Sequence, residues 1–340
     1  MGDAAELARA WDEVPDRAGL VDAAARHGLA GVLLLAAPPA DEALARRRAR
    51  EAAHGRARLA WLRGALDEAL AALGAAGVRA AALKGPALAA RLYPEPWARS
   101  SHDLDLLVDA AGLEPALAAL GELGYAVEEG PHERYARRHH HHLHLHREGA
   151  PLLELHFRAF TGCGITLAAE PLLDRARPGP WGARVLAPED ELLYLSLHAA
   201  GHLYERLGWL YDLALLLRAA EPPDLEVAVC LAYETGGAAS LALTLALLRE
   251  WLLPALPAPQ DLALPDPAGA RFRLARALAG RVHGWREDGP PATLGRVGFQ
   301  ALLGPGPLAG ARFLAHHLGR IARRRAQRAL PGVTPEEWSG

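Results

Sequence analysis

Lysine is almost missing from this chain. Of its 37 basic residues only Lys84 is a lysine, and the rest are arginines. A compact ammonium and a planar guanidinium are not interchangeable. The lone lysine therefore marks either a chance survivor on the surface or a position where a point charge is wanted. Cysteine is equally scarce: Cys163 and Cys230 lie far apart and in no metal-spacing motif. That excludes a disulfide framework and points to a reducing compartment. No stretch approaches the roughly 18 uninterrupted apolar residues of a membrane-spanning helix. The Met-Gly-Asp-Ala-Ala-Glu start has neither the basic opening and apolar run of a secretory signal nor a myristoylation serine or threonine. A cytoplasmic protein without a membrane partner is expected. A basic excess is missing too, since the formal net charge is −3, so no nucleic-acid partner is expected.

What is present is small aliphatic mass. Hydrophobic residues make up 51% of the chain, mostly Ala and Leu, and aromatics only 6%. Such a balance favours a large helical core with strands in the minority. Residues 1–76 read as a helical region, the run from Asp41 to Leu73 carrying apolar or small residues on one face and arginines on the other. Gly74 and Gly77 are expected to end it. The texture changes at Val78, where a short apolar run reads as a strand, and Pro86 suits the first turn of a short helix. Leu104–Val108 is the clearest strand, a helix is expected near 112–123, and Tyr125–Glu128 reads as a further strand. His140–Arg147 and Leu152–Phe157, separated at Gly149, read as a hairpin. From Pro188 onward helices are expected at 189–204, 205–219, 224–235 and 238–252, followed by a proline-rich linker near 254–269 and two or three more helices. The expected architecture is α+β: a small mixed-sheet core at 77–187, flanked by helical regions at 1–76 and 188–340.

The chemistry concentrates at Asp103-Leu104-Asp105. Alternate residues of a strand share a face, so both carboxylates project together while Leu104 points into the core. Two such acids repel unless a cation lies between them, and Mg²⁺ favours oxygen ligands of this kind. A solvated strand end is the plainer alternative. Glu154, on the alternating segment Leu152–His156, supplies a third carboxylate from the same sheet. Lys84-Gly85 sits at a strand-to-helix turn, where backbone N–H groups and the helix dipole favour phosphate. Arg99 stands four residues before Asp103 and can fork onto phosphate oxygens.

The stretch from Leu83 through Lys84-Gly85, Arg99 and Asp103-Leu104-Asp105 to Val108, with Leu153-Glu154-Leu155-His156-Phe157 after it, resembles a bacterial family of uncharacterised nucleotidyltransferases within the DNA polymerase β superfamily. The similarity extends over roughly residues 78–220, including the helical stretch with Trp209 and Asp212. The wider superfamily has Gly-Ser or Gly-Gly before its paired acids. This chain has Lys84-Gly85 there, so phosphate contact falls to Lys84 by position alone. The resemblance implies a magnesium-dependent enzyme with two ions held by Asp103, Asp105 and Glu154. It would pass a nucleoside monophosphate from an NTP, ATP first among them, to a hydroxyl of a small molecule, sugar or protein.

Other residues carry weaker signals. His142, His144 and His146 share a strand face, but three side chains along one strand span roughly 13 Å, too far for one ion. At most two can share it, and contact with a substrate is the better functional expectation. His198 and His202 lie four apart on a helix without a metalloprotease glutamate, which suits a core or groove-lining role. His156 is assigned to the sheet face opposite Glu154, as a core histidine. Arg206, Trp209 and Asp212 recur at three-residue spacing and can line a substrate groove, and the arginines at 320–328 read as a solvated face. Two competing functions stay open: a nucleotide-binding helical scaffold on a degenerate core, and a histidine-centred metal binder.

Overall fold

The computed structural model describes residues 10–36, 42–127, 131–283 and 290–329. The chain is an α+β protein built on a mixed seven-stranded sheet. Helices α1 (Arg17–Arg26), α2 (Ala30–Ala36) and α3 (Glu42–Ala75) lead into it. Asp16 caps α1 by accepting a hydrogen bond from the Gly19 N–H at 2.8 Å. α3 runs through Gly74 and closes only at Gly77, whose φ of 70° is open to glycine without strain. Of the two glycines expected to end the helix, only the second sits where a left-handed backbone is needed.

The core comprises β1 (Ala80–Ala82), α4 (Gly85–Leu92), β2 (Asp103–Val108), α5 (Leu113–Glu122), β3 (Ala126–Val127), α6 (Pro131–His139), β4 (His142–His146) and β5 (Leu152–His156). A small hairpin, β6 (Phe160–Gly162) with β7 (Ile165–Leu167), follows. Then come α7 (Glu170–Arg175), β8 (Arg177–Pro178) and β9 (Arg184–Val185). Across the sheet the order is β3-β4-β5-β2-β1-β9-β8. β2 lies parallel to β5 and antiparallel to β1, and β4 and β5 form the expected antiparallel hairpin.

The period of two decides the two faces. Leu104, Leu106 and Val108 of β2, Leu143 and Leu145 of β4, and Leu153 and Leu155 of β5 fill one core. Leu62, Leu66, Ala69 and Leu73 of α3 and Leu113, Ala116 and Leu120 of α5 close over it at helical spacing. Burying these leucines contributes about 2 kcal/mol each before entropy is counted. The intervening residues of the same strands face the other way.

That second side is covered by the C-terminal helices α8 (Pro188–Gly201), α9 (Leu207–Leu216), α10 (Leu225–Thr235) and α11 (Ala238–Trp251), and by α12 (Ala270–His283), α13 (Pro290–Leu303) and α14 (Pro307–Ala329) beyond. α8 starts on Pro188 with Glu189, Asp190 and Glu191 in its first turn, where negative charge suits the helix dipole. α10 is capped by Asp224, which accepts from the Glu226 and Val227 N–H groups, and is closed by Gly236 at φ 82°. Three arginine–acid pairs fasten these helices to the core: Arg91 with Glu191, Arg99 with Asp212, and Arg175 with Asp190. In each the carboxylate is almost completely buried, so the guanidinium supplies the hydrogen bonds that water cannot. Among the described residues no helix is long and apolar enough to cross a membrane. The expected strand Tyr125–Glu128 is described only to Val127, the parts of the expected helical regions at 1–9, 37–41, 284–289 and from 330 lie outside the described residues, and the side chains of the 320–328 arginines are likewise not described.

Candidate active site

The site forms where β2, β5 and β4 present their second face. In the parallel register of β2 and β5, Asp105 lies directly beside Glu154 and Asp103 beside Leu152. In the antiparallel register of β4 and β5, His144 lies opposite Glu154 and His142 opposite His156. His156 therefore shares the face of Glu154, which corrects its assignment to the opposite side. The two residues stand two apart on one strand, and that spacing returns a side chain to the same face.

Lys84 is the cation at the centre. Its Nζ lies 2.8 Å from Asp105 Oδ1, with only 12% of its side chain exposed. The lysine follows β1 by two residues and takes the N-cap position of α4, whose first residue, Gly85, has a φ of 66°. A Cβ there would stand 3.4 Å from the backbone oxygen of Asp103, an ordinary contact, so it is the left-handed backbone rather than space that calls for glycine. His156 adds a second contact, its Nε2 being 3.3 Å from Asp105 Oδ1 and 3.5 Å from Glu154 Oε2.

Electrostatics follow from this packing. Burial works against the Lys84 ammonium, yet Asp105, with Glu154 and Asp103 behind it, outweighs burial and raises its pKa. Burial also opposes ionisation of Asp105, but Lys84 and His156 prevail and hold the carboxyl below its usual value. Glu154 is lowered despite burial because His144 and His156 hydrogen-bond to it. Burial disfavours the charged form of His156, while Asp105 and Glu154 push its pKa up. Asp103 is the exception. Burial and the neighbouring charge of Asp105 raise its pKa, and Lys84 only partly offsets them. A carboxylate so placed would gain from a further positive charge.

A cation fits these residues. One ligand atom each from Asp105, Glu154 and His156 lies within 4.8 Å of the other two. Asp105 Oδ2 is buried with no hydrogen-bond partner, a costly state that a bound ion relieves. Sequence reasoning did not assign His156 to this set.

Beside the acids opens a cavity of about 670 Å³ lined by His141, His142, His144, Tyr194, His198 and His202 among others. Tyr194, His198 and His202 come from α8 and its C-cap at four-residue spacing, so one helical stripe faces the histidines of β4. Burial, reinforced by the proton charge of His156, lowers His142 to about 3. Burial and then Lys84 lower His202 to about 4. No motif in the sequence marks Tyr194, yet its hydroxyl is buried without a hydrogen-bond partner in the same place.

The other expected site residues are distributed differently. Arg99 directs Nε and Nη2 onto Asp212, both at 2.9 Å, so the fork expected to grip phosphate grips a protein carboxylate. Asp212, expected in a groove, is 2% exposed and also accepts from the Tyr93 hydroxyl at 2.7 Å. Its charge is consumed by the protein. Trp209 packs beside His198 and His202, with ring centroids 5.2 and 5.1 Å away, and the Arg206 guanidinium lies 5.8 Å from its ring.

Comparison with known proteins places this arrangement. The family described as uncharacterised nucleotidyltransferase matches residues 14–253, most of the chain. The chain belongs to that family, and it is therefore a transferase that handles a nucleotide. No curated protein matches the sequence. Among solved structures, the solution structure of the antibiotic-resistance factor ANT(2'')-Ia is similar at 16% identity and a TM-score of 0.34, over 54% of this chain and 89% of that one. A likeness that slight decides nothing about this chain.

Proposed function

We propose that the protein transfers a nucleoside monophosphate from an NTP, with ATP the first candidate, to a hydroxyl acceptor, and that it depends on magnesium. The observation that carries this reading is the register of β2 and β5, which sets Asp105 beside Glu154 with Lys84 and the Gly85 turn against them. Asp103, Asp105 and Glu154 would hold two Mg²⁺ ions, whose part is to neutralise the triphosphate and the charge that develops in the transition state. Lys84 and the Gly85 turn, at the N-terminus of α4, would meet the phosphates. Arg99 would act at one remove, holding the segment before β2 through Asp212. The acceptor oxygen forms a bond to the α-phosphorus as the bond to pyrophosphate breaks. Glu154 would either help hold the second ion or activate the acceptor hydroxyl. The family assignment supports nucleotide chemistry, and the orphaned Asp105 oxygen supports a cation.

One observation favours a second reading, a scaffold that binds nucleotide without chemistry. Asp105 Oδ1 is already shared by Lys84 and His156. The two readings separate in one experiment. Labelled NTPs are offered with Mg²⁺ and a panel of small-molecule, sugar and protein acceptors, and pyrophosphate is followed. The enzyme reading expects release that falls by at least ~10²-fold in Asp105→Asn and Asp103→Asn. Nucleotide binding without release, or turnover kept by either variant, contradicts it. A cytoplasmic location belongs to the same reading and follows from the scarcity of cysteine.

A further inference from the structure

The phosphate chemistry proposed above uses the carboxylates and leaves the imidazoles of β4 without a task. We infer that His142, His144 and Glu154 form a site for a zinc-class divalent cation that opens on the histidine-lined cavity. The site itself stands on geometry alone; its effect on catalysis rests on the proposed function.

The strand arrangement makes the site. His142 and His144 share a face of β4, and the hairpin register sets His144 opposite Glu154. The strand spacing that keeps three histidines from one ion leaves two free to share it, and the rings of His142 and His144 lean together. His142 Nε2 stands 3.0 Å from His144 Nε2, and His144 Nε2 stands 3.5 Å from Glu154 Oε1. One ligand atom from each of the three lies within 4.8 Å of the other two. Donors bound to zinc at about 2.0–2.1 Å in a tetrahedron stand roughly 3.3 Å from one another. The two edges that meet at His144 Nε2 bracket that length, and the third, from His142 to Glu154, has only to close from within 4.8 Å by side-chain rotation.

Donor type selects the metal. Two imidazole nitrogens with one carboxylate oxygen suit zinc, whereas magnesium and calcium favour oxygen throughout. Three protein ligands leave the fourth tetrahedral position to a water or a ligand group. Both histidines line the cavity of about 670 Å³, which provides access and room at that position. The Nδ1 atom of His142 is buried with no hydrogen-bond partner and lies 4.0 Å from Glu154 Oε2, so this corner of the site carries unsatisfied polarity.

A consequence follows for the acids. Glu154 belongs to both sets, and a zinc ion on β4 takes its carboxylate away from the magnesium position. Zinc is thus an inhibitor of nucleotidyl transfer that acts through a shared ligand.

The test uses the metal-stripped full chain titrated with Co²⁺, read by its visible d–d bands, and then with Zn²⁺ in competition with a chromophoric chelator. The wild type and His146→Asn, altered one step further along the same strand face, are expected to show one equivalent with tetrahedral bands that zinc abolishes. His142→Asn and His144→Asn are expected to bind at least about tenfold more weakly. His144→Cys guards against a folding artefact: a thiolate there should keep the tetrahedral spectrum and add a sulfur-to-cobalt charge-transfer band. Unchanged affinity in His144→Asn overturns the site. So does binding that survives His144→Asn and disappears in His141→Asn, which would move the ion to the neighbouring group of His141, His142 and His156. The cobalt spectrum needs no nucleotide, so a chain that binds zinc and transfers nothing leaves the site standing and removes only the proposed activity.

Discussion

The two faces of the sheet are made by the same three strands, yet they differ in almost every property. One face is aliphatic and closed: Leu106, Leu153 and Leu155 are completely buried under α3 and α5. The other carries Asp105, Glu154, His142, His144 and His156 with one lysine among them. Alternation gives both faces from one sequence pattern, so a core and a site can be specified together. The apolar face needs only volume and shape. The polar face needs each charge answered, and here the answers come from close by: Lys84 and His156 for Asp105, His144 and His156 for Glu154.

The sharpest way to break the contrast is to place a charge on the wrong face. Leu106→Asp would bury a carboxylate with no partner, and a loss of roughly 5 kcal/mol or more is expected, enough to prevent folding. Far-ultraviolet circular dichroism of the purified chain reads the outcome, and a cooperative melt near that of the wild type would contradict it. A smaller effect is expected where a helix meets the core. Arg99→Ala leaves Asp212 buried and uncompensated, which should cost about 3–5 kcal/mol in urea unfolding. The same variant sharpens the question of role: a large loss of stability makes Arg99 a fastener, whereas unchanged stability with weaker nucleotide binding would restore it as a phosphate contact.

The effect that is smallest per step is in pH. His142 titrates at about 3 in the folded chain, against about 6.5 when unfolded. Between those values the unfolded chain binds the proton and the folded one does not. Stability from this residue is complete above about 6.5 and falls as pH drops through the window, by at most about 1.4 kcal/mol per unit. His156 has the opposite sign. Its folded pKa is raised, so its contribution is complete below about 6.5 and is lost as pH rises through the folded value. His142→Asn should flatten the acid limb of a stability curve and leave the neutral limb in place. An acid limb of unchanged slope would show that other groups set it.

Much of this was legible from residue order, for reasons that vary by element. The β2 pattern shows its two faces because every second residue is leucine or valine. The long helices show a stripe. The acids on β2 and β5 were visible as neighbours on one face, but their register was not, since nothing local says which residue of β5 lies beside Asp105. α6 has no apolar stripe, being rich in arginine and histidine, and it passed unseen. β8 and β9 are two residues each, too short to carry a period. Asp212 reads as a groove residue from sequence because its partner Arg99 stands 113 positions away. His156 was missed on an error of parity, although its spacing from Glu154 held the signal.

The central claim is that Asp105 and Glu154 jointly hold a divalent cation beside a nucleotide. Paramagnetic resonance of Mn²⁺, standing in for Mg²⁺, measures this directly when the ion is titrated into the chain with a non-hydrolysable ATP analogue. Tight, nucleotide-dependent binding in the wild type, lost in both Asp105→Asn and Glu154→Gln, is the predicted result. Binding that is indifferent to Glu154→Gln would contradict the account.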